Sequence, residues 1–403
     1  HAAGVILSRE PLLDVIPIHR RENDGAIITQ FDMGACESTG LLKMDFLGLR
    51  NLSVLDDALI NIKANKGIDV VLEELTLDDK KTYELLSRGE TLGVFQLDGG
   101  PMRSLLRSLA PDSFEDISAV IALYRPGPMG ANAHNDYADR KNGRKPVIPI
   151  HRELAEPLAE ILGDTYGLIV YQEQVMAIAQ KLAGFSLGGA DLLRRAMGKK
   201  KKDLMEKYGI QFVEGCEKNG IAREKSSALY ETIAKFASYG FNKSHAAAYA
   251  LVAYQTAYMK AHFPAAFMAA NLSAVMDDTD KVHAFRDDAL ANGLKLLPPD
   301  INQGIYRFEP VDEKTVRYGL GAIKGTGETA ILAIVAAREK DGPFKDLFDF
   351  CRRVDKRVVN RRAIEALVRA GAFDAIYDHR ASMLATVGIA MEAAEQAERA
   401  AGQ

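Results

Sequence analysis

Hydrophobic and polar positions fall first into short runs and then into helical spacing. AGVIL near the start, AIITQF (residues 26–31) and GLLKMDFLG (residues 40–48) read as extended segments broken by Pro, Asp and Gly, and they predict a small sheet. From Leu52 to about Ala291 the apolar positions recur mainly at helical spacing. Ser113, with Asp116 three residues on and ISAVIALY following, has the form of a capping box whose helix is stopped by Pro126 and Pro128. Val175, Ile178, Ala179 and Leu182 make one stripe of another helix, preceded by a strand candidate, GLIVY (residues 167–171). AAAYALVAYQTAYMKAHFP (residues 246–264) is apolar nearly all round, which predicts a buried helix ending just before Pro264, the spine of the middle region. The paired prolines of LLPPDIN (residues 296–302) mark a boundary, and the remainder is expected to be a smaller helical unit. Its Ala- and Glu-rich end, residues 390–403, has the composition of a frayed helix or a linker. No fixed-period repeat is visible.

At 403 residues the chain exceeds what one core usually serves, so two or three packing units are expected. With 47% hydrophobic and 26% charged residues, disorder is not the dominant state. The longest apolar runs, such as AILAIVAA (residues 330–337), fall far below the roughly 18 residues that span a bilayer, so no membrane segment is expected. The opening HAAGVIL has no initiator Met, no basic n-region and no secretory cleavage site, and reads as a cut chain. Cys36, Cys216 and Cys351 lie far apart with no Cys or His at metal spacing, which suggests neither a zinc site nor a disulfide framework and fits a reducing cytoplasm. A net charge of −4 argues against nucleic acid covering the whole surface, yet the sign is uneven along the chain and local basic clusters count individually.

Four segments carry candidate chemistry. In GLLKMDFLG, Lys43 and Asp45 share one face of a strand while Leu42, Met44 and Phe46 take the other, so one face is expected dry and the other charged. An Asp in an apolar run needs compensation, from a divalent cation or from Lys43 itself. LLRRAMGKKKK sets Arg194, Arg195, Lys199, Lys200, Lys201 and Lys202 close together; this density suits a triphosphate or a nucleic-acid backbone, and equally a solvated helix end favoured by the helix dipole. In ASYGFNKSHAAAY (residues 237–249), Asn242 or Ser244 can cap the buried helix. Its N-terminal NH groups, Lys243 and His245 would then make an anion site, with Tyr239 as a ring for a base or sugar. The plainer reading is a cap and a structural histidine. In VRYGLGAIKGTGETAILAIV (residues 316–335), Gly325-Thr326-Gly327 lies between two apolar helical patterns as the turn of a helix-hairpin-helix. Arg352, Arg353, Lys356, Arg357, Arg361 and Arg362 follow as a basic stripe before a second turn near Gly371, suggesting non-specific DNA binding over a plain helical hairpin. A P-loop, a dinucleotide fingerprint, a Gly-x-Ser-x-Gly elbow and a His-Glu-x-x-His pair are all missing.

HAAGVIL, LLKMDFLGLR, GVFQLDGG, YRPGPM, YQEQVM, LLRRAMGKKK, YGFNKSHAAAYA and LLPPDIN, in this order, closely resemble the alpha subunit family of bacterial DNA polymerase III. The resemblance covers essentially the whole chain. It implies a mixed α/β, mostly helical fold: residues 1–50 as the returning part of a palm of the polymerase beta type, residues 51–295 as fingers, and residues 296–403 as tandem helix-hairpin-helix. It implies template-directed DNA polymerisation during chromosomal replication, with two magnesium ions in the intact enzyme. Asp45 would be the third palm carboxylate and metal ligand, and Lys43 a neighbour of the reacting phosphates. Arg194, Arg195, Lys199, Lys200, Tyr239, Asn242, Lys243, Ser244 and His245 would form the nucleotide pocket. Arg125, Lys324, Gly325, Thr326, Gly327, Arg357, Arg361 and Arg362 would meet DNA. Expected partners are primer-template DNA, deoxynucleoside triphosphates and, through other regions, the sliding clamp and clamp loader, in the bacterial cytoplasm at the nucleoid. The family's Pro-Asp-x-Asp pair has no counterpart, since Pro299-Asp300-Ile301-Asn302 carries Asn at its second acidic position. The chain is therefore expected to begin after the thumb, to lack two of three metal carboxylates, and to be inactive alone. The rival expectation is a non-catalytic helix-hairpin-helix module for DNA binding or repair.

Overall fold

Short runs near the start fold as two separate ribbons, where the pattern of apolar positions had suggested one small sheet. In the computed structural model, which describes residues 3–402 and so leaves His1 and Ala2 of HAAGVIL outside, these are β1 (Gly4–Leu7), β2 (Ile18–Arg20), β3 (Ile27–Thr29) and β4 (Leu42–Asp45). β1 pairs antiparallel with β4 and β2 antiparallel with β3. Strands of three or four residues have few ladder bonds to extend, and the Met33–Ser38 helix, capped by Asp32, intervenes. Ile16, Cys36 and Leu41 are the buried centre of this part, with Ile6, Leu12, Val15 and Ile18 against them.

The chain divides into two compact units, His1–Ser53 and Val54–Gln403. In the second, the all-round apolar segment is the Lys243–His262 helix, stopped as expected: Phe263 ends it and Pro264 opens the Pro264–Ala274 helix. Its small buried residues, Ala246, Ala250, Ala253 and Ala257, let neighbouring helices approach closely, among them Phe114–Leu123 and Lys80–Arg88. Ser113 accepts from the Asp116 NH at the start of Phe114–Leu123, but the capping box is not completed. Asp116 instead accepts from the Asp112 NH at 3.2 Å and from Tyr137 Oη at 3.0 Å, and pairs with Lys141 at 2.9 Å. Burial pushes its carboxyl up, against the pull of Lys141.

Residues 295–317 depart from the helical expectation. β5 (Lys295–Leu297), β6 (Glu309–Asp312) and β7 (Thr315–Arg317) form a three-stranded sheet in the order β5-β7-β6, with β5 parallel and β6 antiparallel to β7. Each is too short to show a period, which hid them. The Ala- and Glu-rich end is no linker: Arg380–Ala401 is one helix with Met383, Val387, Ala390 and Ala394 buried, alanines being sufficient where helices pack closely. Cys36, Cys216 and Cys351 are buried in three different cores, and burial pushes the last two thiols up to about 11. No described helix is long and apolar enough to cross a membrane.

One buried charge ties the spine to its surroundings. Lys260, 5% exposed, donates to the Leu92 carbonyl at 2.9 Å and to Asp288 at 2.8 Å. Burial lowers its pKa while Asp288 raises it. Lys260→Met should cost about 3 kcal/mol in chemical denaturation, because it leaves a mostly buried carboxylate unpaired. A loss below about 1 kcal/mol would show that Asp288 is readily rehydrated.

Candidate nucleotide and nucleic-acid site

The candidate site around residues 237–249 grows from a backbone contact between Tyr171 and Phe241. Gln174 turns its side-chain oxygen back to accept from the Val170 and Tyr171 NH groups at 2.8 and 3.0 Å, starting the Gln172–Ala183 helix and holding the preceding chain extended. There Tyr171 makes one parallel bridge with Phe241. This bridge stands where GLIVY had suggested a full strand. The Phe241 NH donates to the Val170 carbonyl at 3.1 Å, and the Gln172 NH donates to the Phe241 carbonyl at 3.0 Å. Gly240 lies so close that a Cβ there would come within 3.1 Å of Gln172 Cα.

Beyond the bridge, Asn242 rather than Ser244 caps the spine helix, accepting from the His245 NH at 2.8 Å. Glu173 accepts from the Lys243 NH at 3.0 Å, and Lys243 Nζ stands 5.5 Å from the Tyr171 ring centre. Lys243, Ser244 and His245 are exposed at this helix start. Burial pushes the Tyr171 phenol up to about 12. A run of rings follows: Phe241 to His245 at 5.4 Å, His245 to Tyr249 at 4.2 Å, and Tyr249 stacked on Phe95 at 5.2 Å.

Arg125 is placed as a brace beneath this loop. Its Nε donates to the Ala122 carbonyl at 2.7 Å, its Nη2 donates to the Tyr239 carbonyl at 2.5 Å, and its guanidinium lies 4.5 Å from the Phe241 ring centre. Burial lowers its pKa. Tyr239, 37% exposed, lies over Gly127, where a Cβ would fall 2.5 Å from the ring.

Arg194 joins the group through Gln172, whose side-chain oxygen accepts from Nη1 at 3.0 Å. Asp191 accepts from Arg194 Nε and Nη2 at 3.1 and 2.6 Å, and pairs with Arg195 Nε at 2.9 Å. The Arg194 hydrogen bond holds the Asp191 carboxyl below its ordinary range. Lys199 and Lys200 lie in the exposed turn between the Leu187–Gly198 and Lys202–Lys218 helices, Lys200 with φ +50°, and make no ion pair among the described residues. Gln172, Glu173, Asp191 and the Phe95–Tyr249 pair were not singled out from the sequence. Only Asp191 had a readable signal, standing three and four residues before the two arginines on a helix.

Lys43 and Asp45 belong to the first unit. They pair with each other at 3.0 Å, so the local compensation foreseen for Asp45 is present. The apolar face is not dry: Leu42, Met44 and Phe46 are 60%, 41% and 64% exposed, because a two-stranded ribbon has no second layer of its own to cover it. No group of three or more His, Cys, Asp or Glu able to hold a metal occurs among the described residues. A single carboxylate, ion-paired with Lys43, does not fit a self-contained two-magnesium centre.

The hairpin glycines serve conformation. Gly325 and Gly327 have φ of +90° and +79°, and Thr326, buried between them, donates to the Ile323 carbonyl at 2.8 Å. The downstream arm is the Glu328–Asp341 helix; the upstream arm is β7 and a 3-10 turn, Leu320–Ala322, in place of the expected helix. Gly319 and Gly321 are pressed against Tyr306, Arg307 and Phe308, which excludes the side chains a helix would carry there. Lys324 is exposed beside the turn. The basic stripe is discontinuous. Arg353 donates to the Ala337 and Gly342 carbonyls and covers Phe344, and Lys356 is largely buried, so neither reaches outward. Arg357, Arg361 and Arg362 are exposed, the first two beside Asp355 and Glu365.

Fold and site together define a mixed α/β, mostly helical protein with a cationic cluster and a hairpin unit. Comparison with known families matches residues 1–48 to a bacterial DNA polymerase III alpha NTPase domain, residues 51–220 to the finger domain of that subunit, and residues 293–383 to a helix-hairpin-helix motif. The DNA polymerase III subunit alpha of Mycobacterium leprae is 54% identical over 376 residues, covering 93% of this chain and 32% of that protein. Those of Thermus aquaticus and Escherichia coli K12 are 51% and 48% identical, each over 99% of this chain and over 32% and 35% of their own lengths. The chain belongs to the bacterial DNA polymerase III alpha subunit family, and it spans about a third of the length of these curated relatives.

Gly127→Ala should push Tyr239 off its seat and cost about 1–3 kcal/mol in chemical denaturation, the usual range for overpacking. A crystal structure of the variant with Tyr239 unmoved would refute the assigned contact.

Proposed function

We propose that this chain provides part of the palm, the nucleotide-binding fingers and DNA-binding hairpins of a template-directed DNA polymerase acting in bacterial chromosomal replication. One observation carries the reading: residues from five separated strings, Phe95, Arg125, Gln172, Arg194 and the 239–245 loop, converge in one linked cluster that presents arginines, Lys243 and a helix N-terminus. Polyphosphate is the ligand class such a cluster suits, since Arg offers a planar fork and a helix start offers partial positive charge.

The work assigned to these residues is binding and orientation. Arg194 and Arg195, with Lys199, Lys200 and Lys243, would neutralise and align a deoxynucleoside triphosphate, while Tyr239, Ser244 and His245 face its sugar and base. Lys324, Gly325, Thr326 and Gly327, with Arg357, Arg361 and Arg362, would hold duplex phosphates without reading sequence. In the longer protein Asp45 would contribute one carboxylate toward magnesium, which supplies charge neutralisation at the reacting phosphate, and Lys43 would stand beside it. Sliding clamp and clamp loader would be engaged by other parts of the longer protein, in the bacterial cytoplasm.

Primer extension with magnesium and four deoxynucleoside triphosphates tests this reading, comparing the 403-residue chain with one lengthened to match its relatives, each with Asp45 intact or with Asp45→Ala. Only the longer protein with Asp45 intact should extend primer, with a loss of at least about a hundredfold on substitution. Extension by the 403-residue chain would overturn its predicted inactivity, and unchanged extension by Asp45→Ala would overturn the metal role and favour a DNA-binding module. Lys324→Ala with Arg362→Ala should weaken duplex binding irrespective of sequence and lower the salt slope by about 0.9 per lost phosphate contact. An unchanged slope would remove both residues from the DNA surface.

A further inference from the structure

We propose that Gln172 is a positioning residue that aims Arg194 at the triphosphate and ties it to the 239–245 loop. The inference rests on the reading of this cluster as a triphosphate site. A free arginine side chain samples many rotamers, and fixing one costs entropy at the moment of binding. Here the guanidinium is gripped from two sides before any ligand arrives. Asp191 takes the Nε edge, and the Gln172 oxygen takes Nη1 at 3.0 Å, leaving one N–H on each terminal nitrogen uncommitted.

The chemistry of the second holder matters. Asp191 orients Arg194 but offsets part of its charge, and it is shared with Arg195. Gln172 is neutral, so it orients the fork while leaving the positive charge available to a polyanion. It is also the residue whose backbone NH closes the contact with Phe241, and it lies under Gly240, where an added Cβ would stand 3.1 Å from Gln172 Cα. One residue therefore fixes the distance between Arg194 and the loop carrying Lys243 and His245. A structural glutamine facing solvent would have no reason to share both contacts.

The experiment is a double-mutant cycle on the 403-residue chain, reading dATP affinity with magnesium by titration calorimetry and folding by thermal melting. Gln172→Met keeps the side chain's length and removes the acceptor; Gln172→Ala is the second variant, since the backbone NH contact survives in both. Either should weaken dATP binding about tenfold, the scale of one charge-assisted hydrogen bond. In the Arg194→Ala background neither should weaken it further, because Gln172 acts through Arg194. If Arg194→Ala weakens binding but both Gln172 variants bind like the parent, or the losses simply add, the positioning role is wrong and the site reading stands. If the parent chain binds no dATP, or Arg194→Ala has no effect, the site reading fails and this inference falls with it.

Discussion

The helical unit depends on one constraint: a helix apolar on nearly every side must be surrounded, and it can offer only its ends to the solvent. The Lys243–His262 helix meets this by packing through alanines, so neighbouring helices come close and the Asn242 end is left exposed. The partial positive charge of that end then becomes a surface property, with the Lys243 and His245 NH groups taken by Glu173 and Asn242. The candidate site lies at this start, while most of the helix from Ala250 to Lys260 is buried, Leu251 at 40% exposure excepted.

Around that end the charges are deployed in two ways. Arg125 and Arg353 spend their donors on carbonyls and aromatic faces and stabilise turns. Lys199, Lys200 and Lys243 make no ion pair among the described residues, and Arg194 is oriented by Gln172 while ion-paired with Asp191. A guanidinium that satisfies carbonyls and one that pairs with a carboxylate are identical in sequence. Arg125, expected among the DNA contacts, donates to the Ala122 and Tyr239 carbonyls.

Short elements were the least legible. β5, β6 and β7 have three or four residues each and are made by pairing between segments distant in the chain, which no local pattern encodes. The same holds for the Tyr171–Phe241 bridge. The exposure of Leu42, Met44 and Phe46 follows from the number of strands beside them, a property of the sheet rather than of the strand.

From the sequence alone came the spine helix and its stop at Pro264, a cap at Asn242 or Ser244, the Gly325-Thr326-Gly327 turn, and the family, because each is written in local composition, in glycine or proline stereochemistry, or in ordered motifs. Tertiary structure alone decided which cations are ion-paired, that Gln172 links Arg194 to the 239–245 loop, and that residues 390–401 continue one helix packed through Ala390 and Ala394. The reason is physical: backbone preference acts over a few residues, whereas burial, ion pairing and hydrogen-bond partnership are fixed by whatever distant segment arrives alongside.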